Sequence, residues 1–433
     1  MEKRKLNVLM GMDVYLPDTD GVINCMKNYV LQGMNDVNIT VIAPKNKRGY
    51  VDDVPYKIYR CKSMHIPFIN QYYGMPTQDR KFVENVKSQK YDIVHVHSPF
   101  NMCKFAIKVA KEQNIPIVAT FHTNFRLIIK SLVASKSLTE SIVASIGRTY
   151  QKMDEVFVCS NNIAEQARSF GYTGKLTVLP FGTELEKTED VQPLIEKANE
   201  EFKLDKDLFL GVFIGRVMPL KRIDFILEAL KIVKDQGYKF NFYVVGKGAD
   251  MKRLKKLCTK LELDNEVKFL GFIPREQFPL VNARADLLLF PSIYDNFGLV
   301  KIEAAAYKTA GLFVENTNAG AGIIDGQNGY LSKDDVNEFA KKIIYCIEHR
   351  EELKQVGQNA QDTIYMHWKD ATKLLIDKYY EIVENWEGRE EKSKKKSKKQ
   401  ISIEETKLED KKKAKKIANS YKQKSKKKTK LAM

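Results

Sequence analysis

Short, continuous apolar runs alternate along the chain with longer stretches whose apolar positions recur every three or four residues. The runs "LNVLMGM" (6–12), "ITVIAP" (39–44), "YDIVHVH" (91–97), "IPIVATFH" (115–122), "EVFVCS" (155–160) and "KLTVLPFG" (175–182) fill the first half. The pattern restarts with "LFLGVFIGR" (208–216), "FNFYVVGKG" (240–248), "EVKFLGF" (266–272), "ADLLLFPS" (285–292) and "AGLFVEN" (310–316). Unbroken apolar runs suit strands covered on both faces, so each half is predicted to hold a parallel sheet flanked by helices. A first helix is expected over 22–33, after a loop carrying Pro17, Asp18, Asp20 and Gly21.

This order predicts an α/β protein of two doubly wound, Rossmann-like domains, 1–182 and 206–360, joined by a polar, acidic linker at 183–205. Open α/β sheets bind ligands beyond the carboxyl ends of their strands, so the expected site is a cleft between the two sheets. Residues 361–388 are expected to be helical, as one long or broken amphipathic helix. Residues 389–433, with "KSKKKSKKQ" and "KQKSKKKTK", are of low complexity and are expected to be disordered, with a transient helix over 401–423.

Composition adds three points. The chain has 433 residues, 43% of them apolar, enough for two or three ordinary cores. No apolar run approaches the roughly 18 residues of a bilayer span. The start, "MEKRKLNVLMGMDVY", lacks a small-residue cleavage site and reads as a first buried strand rather than a signal peptide. The six cysteines, at 25, 61, 103, 159, 258 and 346, form no CxxC pair and point to reduced, buried thiols in a cytoplasmic protein. The net charge of +17 is unevenly placed: residues 389–433 hold 19 Lys and Arg against 6 Asp and Glu, or +13, leaving +4 for the other 388 residues.

Four stretches carry candidate chemistry. In "FIGRVMPLKRIDFILEAL" (213–230), Arg216 and Lys221 flank a strand-to-helix turn. They read either as a grip for a diphosphate or as two bases on a solvated loop. In "FPSIYDNFGLVKIEAAAY" (290–307), Asp295 and Glu303 stand eight apart across a turn, with Phe297, Gly298 and Leu299 at the start of a helix expected over 301–308. Gly298 lets a ligand approach the backbone, and the bland alternative is an Asp cap with one exposed Glu. His95, His97 and His122 end two neighbouring strands. HxH with a third His is a zinc arrangement, but no Cys or carboxylate stands nearby to complete it, and His95 reads as a satisfied core residue. Gly21, before the first helix, is a weak signal for a phosphate or sugar near backbone N–H groups. Neither GxGxxG nor GxxxxGK[ST] is present, against ordinary dinucleotide and P-loop sites.

Taken together, residues 5–385 resemble the retaining glycosyltransferase family 4, of two-domain GT-B architecture. The resemblance rests on "GR" with Lys221 five residues on, then "VVGKG", "FLGF", "FPSIYDNFGLVKIEAAA" and "DGQNGYL". "NVLMGMDVYLPDTDGV" and "HVHSPF … VATFHT" are also similar to the first domain of members that glucosylate diacylglycerol or mannosylate phosphatidylinositol. The family implies that Arg216 and Lys221 hold the donor diphosphate and stabilise the leaving nucleotide. It implies Glu303 on the ribose hydroxyls, Asp295 on hydroxyls of the transferred sugar, and amides around Phe297, Gly298 and Leu299 on the same sugar. Phe272 and Ile273 would hold the base, and Gly21 would approach the donor from the first domain. His97 would lie near the anomeric carbon and His122 on the acceptor side. His97, Arg216, Lys221 and Asp295 are the implied catalytic set, with neither metal nor other cofactor. The chain departs from the family in having Asp at 295 where Glu is usual. "KTAGLFVENTNAGAGII" also lacks the common Gly-x-Pro-Val and the acidic residue of GGxxE.

The expected function is transfer of a hexose, glucose from UDP-glucose, onto a membrane lipid such as 1,2-diacylglycerol. The enzyme would lie peripherally on the inner face of the membrane. The Lys-rich tail would favour an anionic leaflet, where each Lys contributes about 1 kcal/mol. The stretch "FRLIIKSLVASKSLTESIVASIGRTY" (125–150) reads either as an amphipathic surface helix or as a helix packed on the sheet. The alternatives are a soluble or polyprenyl-linked glycan acceptor and, more remotely, nucleic acid on the tail. The nearly balanced body has no aromatic-basic platform for reading nucleic acid, so no specific nucleic-acid partner is expected.

Overall fold

The computed structural model describes residues 4–18, 20–46, 50–66, 71–133 and 135–388. The expected disordered tail and the helix at 401–423 lie outside the described residues. Five strands open the chain: β1 (Asn7–Gly11), β2 (Asn38–Pro44), β3 (Lys57–Cys61), β4 (Ser63–Ile66) and β5 (Gln71–Gly74). β6 (Ile93–Val96), β7 (Ile117–Thr120), β8 (Glu155–Val158) and β9 (Lys175–Val178) complete the first half. The second half holds β10 (Phe209–Ile214), β11 (Phe240–Val245), β12 (Val267–Gly271), β13 (Leu287–Phe290), β14 (Ala310–Val314) and β15 (Tyr330–Ser332).

The first sheet runs β3-β2-β1-β6-β7-β8-β9 and the second β12-β11-β10-β13-β14-β15. Every pairing within these two sheets is parallel. Strand order reverses beside β1 in one sheet and beside β10 in the other, which are the points where such folds bind ligands. The apolar runs are buried as expected: β6, β7, β8, β10, β13 and β14 are buried at every position. β3 and the β4–β5 hairpin escaped the sequence reading because their positions are partly exposed and mixed in polarity.

Two expectations about organisation change. The linker is not merely connective. Its helix Gln192–Phe202 is tied to the second half by Arg284, whose guanidinium donates to Asn199 Oδ1 at 2.6 Å and to the carbonyls of Asp205 and Leu208. The C-terminal helical segment is broken, as one reading allowed, into Arg350–Thr363 and Trp368–Glu384, and what changes is that the second helix packs on the first half. Trp368, Leu375, Ile376 and Tyr379 join the first core, against the helix Gly21–Gly33. Tyr379 hydroxyl bonds His95 Nδ1 at 2.5 Å and Thr120 bonds its Nε2 at 2.7 Å, so His95 is the satisfied core residue expected.

The chain therefore passes between the halves twice, and the two passes are stitched together. The Thr183 amide donates to Met366 O at 2.9 Å, and the Trp368 amide donates back to Thr183 O at 3.0 Å. Gly182 makes this possible: a Cβ there would stand 2.5 Å from the Trp368 nitrogen. Residues 125–150 form two helices, Phe125–Leu132 and Lys136–Tyr150, the second capped by Ser135. Val143, Ile146 and Tyr150 are buried, so that helix packs on the domain. Ile128 and Leu138 stay 48% and 51% exposed.

Gly182→Ala is expected to destabilise the protein by about 1–3 kcal/mol through overpacking. It should also speed hydrogen exchange at the Thr183 and Trp368 amides. Unchanged exchange at both would show that the crossing tolerates a methyl group.

Candidate active site

The carboxyl ends of the two sheets face one another across a cavity of about 730 Å³. The first half contributes Asp20, Gly21, Val22, His122, Thr123, Ile128 and Phe181. The second contributes Arg216, Lys221, Lys247, Phe272, Ile273, Glu303 and the run Asp295 to Val300, among others. Every residue to which the resemblance gave a site role lines this cavity except His97.

Strand ends explain these positions. β1 leads to the helix Gly21–Gly33, whose cap Asp20 accepts the amides of Val22 and Ile23, both at 2.8 Å. A Cβ on Gly21 would meet nothing within 4 Å, so neither packing nor backbone geometry requires glycine there. β10 leads to Arg216, which is exposed, and to the turn Pro219–Lys221. β11 leads to Lys247, an exposed third cation that the motif reading left without a role. β12 leads to Phe272, 69% exposed at the mouth, and to buried Ile273. Lys247 stands over the Phe272 ring at 5.6 Å.

β13 leads into the loop with Asp295. Lys221 Nζ donates to both Asp295 oxygens, at 2.5 and 2.7 Å, so the diphosphate and sugar candidates are partners of each other here. Gly298 has φ +69°, a conformation that favours glycine. The following helix is Val300–Ala305, shorter than expected, with Glu303 on its first turn. Glu303 is partly buried. Burial pushes its carboxyl up to about 7, against the pull of Arg275. Its neighbour Lys301 points away from solvent and lies over Phe297 at 4.5 Å. Its ammonium donates to Ala319 O at 3.1 Å and Ala321 O at 2.7 Å, and burial lowers its pKa to about 8. Lys301 thus ties down the turn where the chain lacks the family's acidic residue. No sequence signal marked it, because only the packed turn supplies the two carbonyls.

Of the histidines, His97 differs from expectation. His122 lines the cavity, stacked on Phe181 at 5.5 Å. His97 lies behind it, 3% exposed, with Nδ1 hydrogen-bonded to His122 Nε2 at 2.8 Å. His97 Nε2 is buried with no hydrogen-bond partner among the described residues. Burial lowers the pKa of all three: His95 and His97 well below the ordinary value, His122 to about 3. Neutral rings fit this arrangement, in which one imidazole donates to the next. Among the described residues, no three His, Cys, Asp or Glu side chains are grouped to hold a metal ion.

Two facing doubly wound domains, with cations and carboxylates gathered on the second half's side of the cleft, have the GT-B arrangement of glycosyltransferases. Residues 31–187 match the family model "Glycosyltransferase Family 4" and residues 195–363 match "Glycosyl transferases group 1". The chain belongs to these glycosyltransferases. It is 23% identical to an alpha-monoglucosyldiacylglycerol synthase of Acholeplasma laidlawii, over 85% of this chain and 95% of that protein. It is 26% identical to the D-inositol 3-phosphate glycosyltransferase of Nocardia farcinica, over 70% of this chain and 71% of that one. Among solved structures, Anabaena HepE in complex with UDP-glucose superposes with a TM-score of 0.66 at 18% identity, covering 87% of this chain and all of that one.

The Glu303 shift has a pH consequence. The carboxyl titrates near 4.5 in an unfolded chain and near 7 in the fold. Its contribution to stability is complete below about 4.5 and is lost as pH rises through about 7. Glu303→Gln, which cannot ionise, should therefore lose less stability than wild type across that window. Parallel melting-temperature profiles for the two proteins would refute the shift.

Proposed function

We propose that the protein transfers glucose from UDP-glucose, with retention, onto the hydroxyl of a membrane lipid such as 1,2-diacylglycerol. The observation that carries this reading is the division of the cavity wall. The second half presents three cations and two carboxylates, chemistry suited to a diphosphate and to sugar hydroxyls. The described first-half lining holds no Lys or Arg, and sets Val22, Ile128 and Phe181 beside Asp20, Thr123 and His122. A wall without a cation suits an uncharged acceptor, which favours a lipid hydroxyl over the inositol phosphate in the name of the Nocardia relative.

In this reading the diphosphate takes Lys221 from Asp295, with Arg216 and Lys247 beside it. Asp295 is released to hydroxyls of the sugar, Glu303 accepts from the ribose, and Phe272 and Ile273 flank the base. The bond from the anomeric carbon to the phosphate oxygen breaks as the acceptor oxygen bonds that carbon. The acceptor proton passes to the leaving phosphate, so no protein base is required. The cations stabilise the negative charge that develops on UDP. No metal or other cofactor is needed for this step. His122, rather than His97, is the imidazole nearest the sugar, with His97 behind it.

Membrane attachment at the inner face is part of the same proposal. No described helix is long and apolar enough to cross a membrane. Ile128 and Leu138 are exposed beside Lys130 and Lys136, and the 389–433 segment adds a charge of +13. These groups suit an anionic surface.

Incubation with UDP-glucose and diacylglycerol in anionic vesicles should yield an α-glucosyl lipid. Arg216→Ala and Lys221→Ala should each lower kcat by about 100-fold or more. UDP should raise the melting temperature of wild type and not of Arg216→Ala. No glycolipid from any common nucleotide sugar would overturn the lipid reading. Activity on soluble sugars, indifferent to vesicles and to removal of 389–433, would favour a soluble glycan acceptor.

A further inference from the structure

One side chain of the donor loop reaches across the cleft to a cavity-lining residue. Asn296 follows Asp295, and its Nδ2 donates to the backbone carbonyl of His122 at 2.6 Å. Its Oδ1 is buried and has no hydrogen-bond partner among the described residues. The carboxamide therefore accepts no hydrogen bond among the described residues, and its donor side is what the seam uses. An Asp there, nearly the same shape, would place a carboxylate against a carbonyl with no hydrogen to share.

The rest of the seam supports this contact. Phe297 and Leu299, from the same loop, pack against the first core, and the Phe297 ring meets Phe181 edge-on at 5.3 Å. The Lys301 ammonium lies over the Phe297 ring. His122 is thereby fixed at three points: its ring nitrogen by His97, its ring face by Phe181 and its carbonyl by Asn296. Two of the three belong to its own half. Asn296 alone among them belongs to the half that holds Asp295, Lys221 and Glu303.

We propose that Asn296 is a positioning residue that couples the donor-binding loop to His122, so that closure of the two halves sets the imidazole against the donor sugar. The coupling rests on the transfer reaction proposed above. It assigns Asn296 a role in turnover and none in holding UDP, which is gripped by residues of the second half.

The test compares wild type with Asn296→Asp and Asn296→Ala. UDP affinity is read by calorimetry and kcat with UDP-glucose and diacylglycerol vesicles. The rate of His122 carbethoxylation by diethyl pyrocarbonate is read by peptide mass spectrometry. Both variants should bind UDP like wild type. Their kcat should fall about 5- to 10-fold, the scale of one lost hydrogen bond, with Asp the worse. His122 should be modified faster in both. Wild-type kcat and wild-type modification rates in Asn296→Asp would overturn the proposal. So would parallel losses of UDP binding and kcat, the mark of a merely misfolded loop. If wild type itself transfers no glucose, the lipid reaction fails, and the His122 modification rate alone still decides whether Asn296 holds the seam.

Discussion

The two chain crossings, stitched at Thr183 and Met366–Trp368, are the constraint on which the rest depends. A single crossing would leave two sheets on a tether. Two crossings bonded to each other hold the halves with their strand ends facing. The helix Trp368–Glu384 makes the arrangement costly to undo, because Trp368 and Tyr379 are buried in the first core. Losing one such aromatic from a core costs about 3–5 kcal/mol. The cavity exists because this stitch holds two switch points opposite one another.

Charge within that cavity is balanced rather than simply positive. Lys221 and Asp295 satisfy each other, Glu303 is held partly protonated near neutrality by burial, and the imidazoles are neutral. Such a site favours a ligand that carries both a diphosphate and hydroxyls, since it offers partners to each without a large excess of either charge. Lys301, although charged, serves the scaffold. Its ammonium fastens the 319–321 turn through two backbone carbonyls.

The position of each candidate along the strands was legible from the chain. A buried parallel strand is a continuous apolar run, and its carboxyl end is where that run stops, so Arg216, Lys247, Phe272, Asp295 and His122 could all be placed at strand ends. The polar character of 183–205 hid a helix, because what ties it to the second half is one buried contact, from the distant Arg284 to Asn199, that no local pattern displays. The regular spacing through 125–150 hid a break, because helical periodicity barely registers an interruption of two or three residues.

The sequence by itself determined the two sheets, their covered faces, the strand-end location of the site and the residue types that meet there. Those depend on local periodicity and on chemistry intrinsic to each side chain. Only the tertiary structure decided that His122 and not His97 faces the cavity. It alone paired Lys221 with Asp295, gave the last helix to the first half, and brought Asn296 to His122. Each of these joins groups distant in sequence, where the outcome depends on which surfaces the folded chain brings within hydrogen-bond distance.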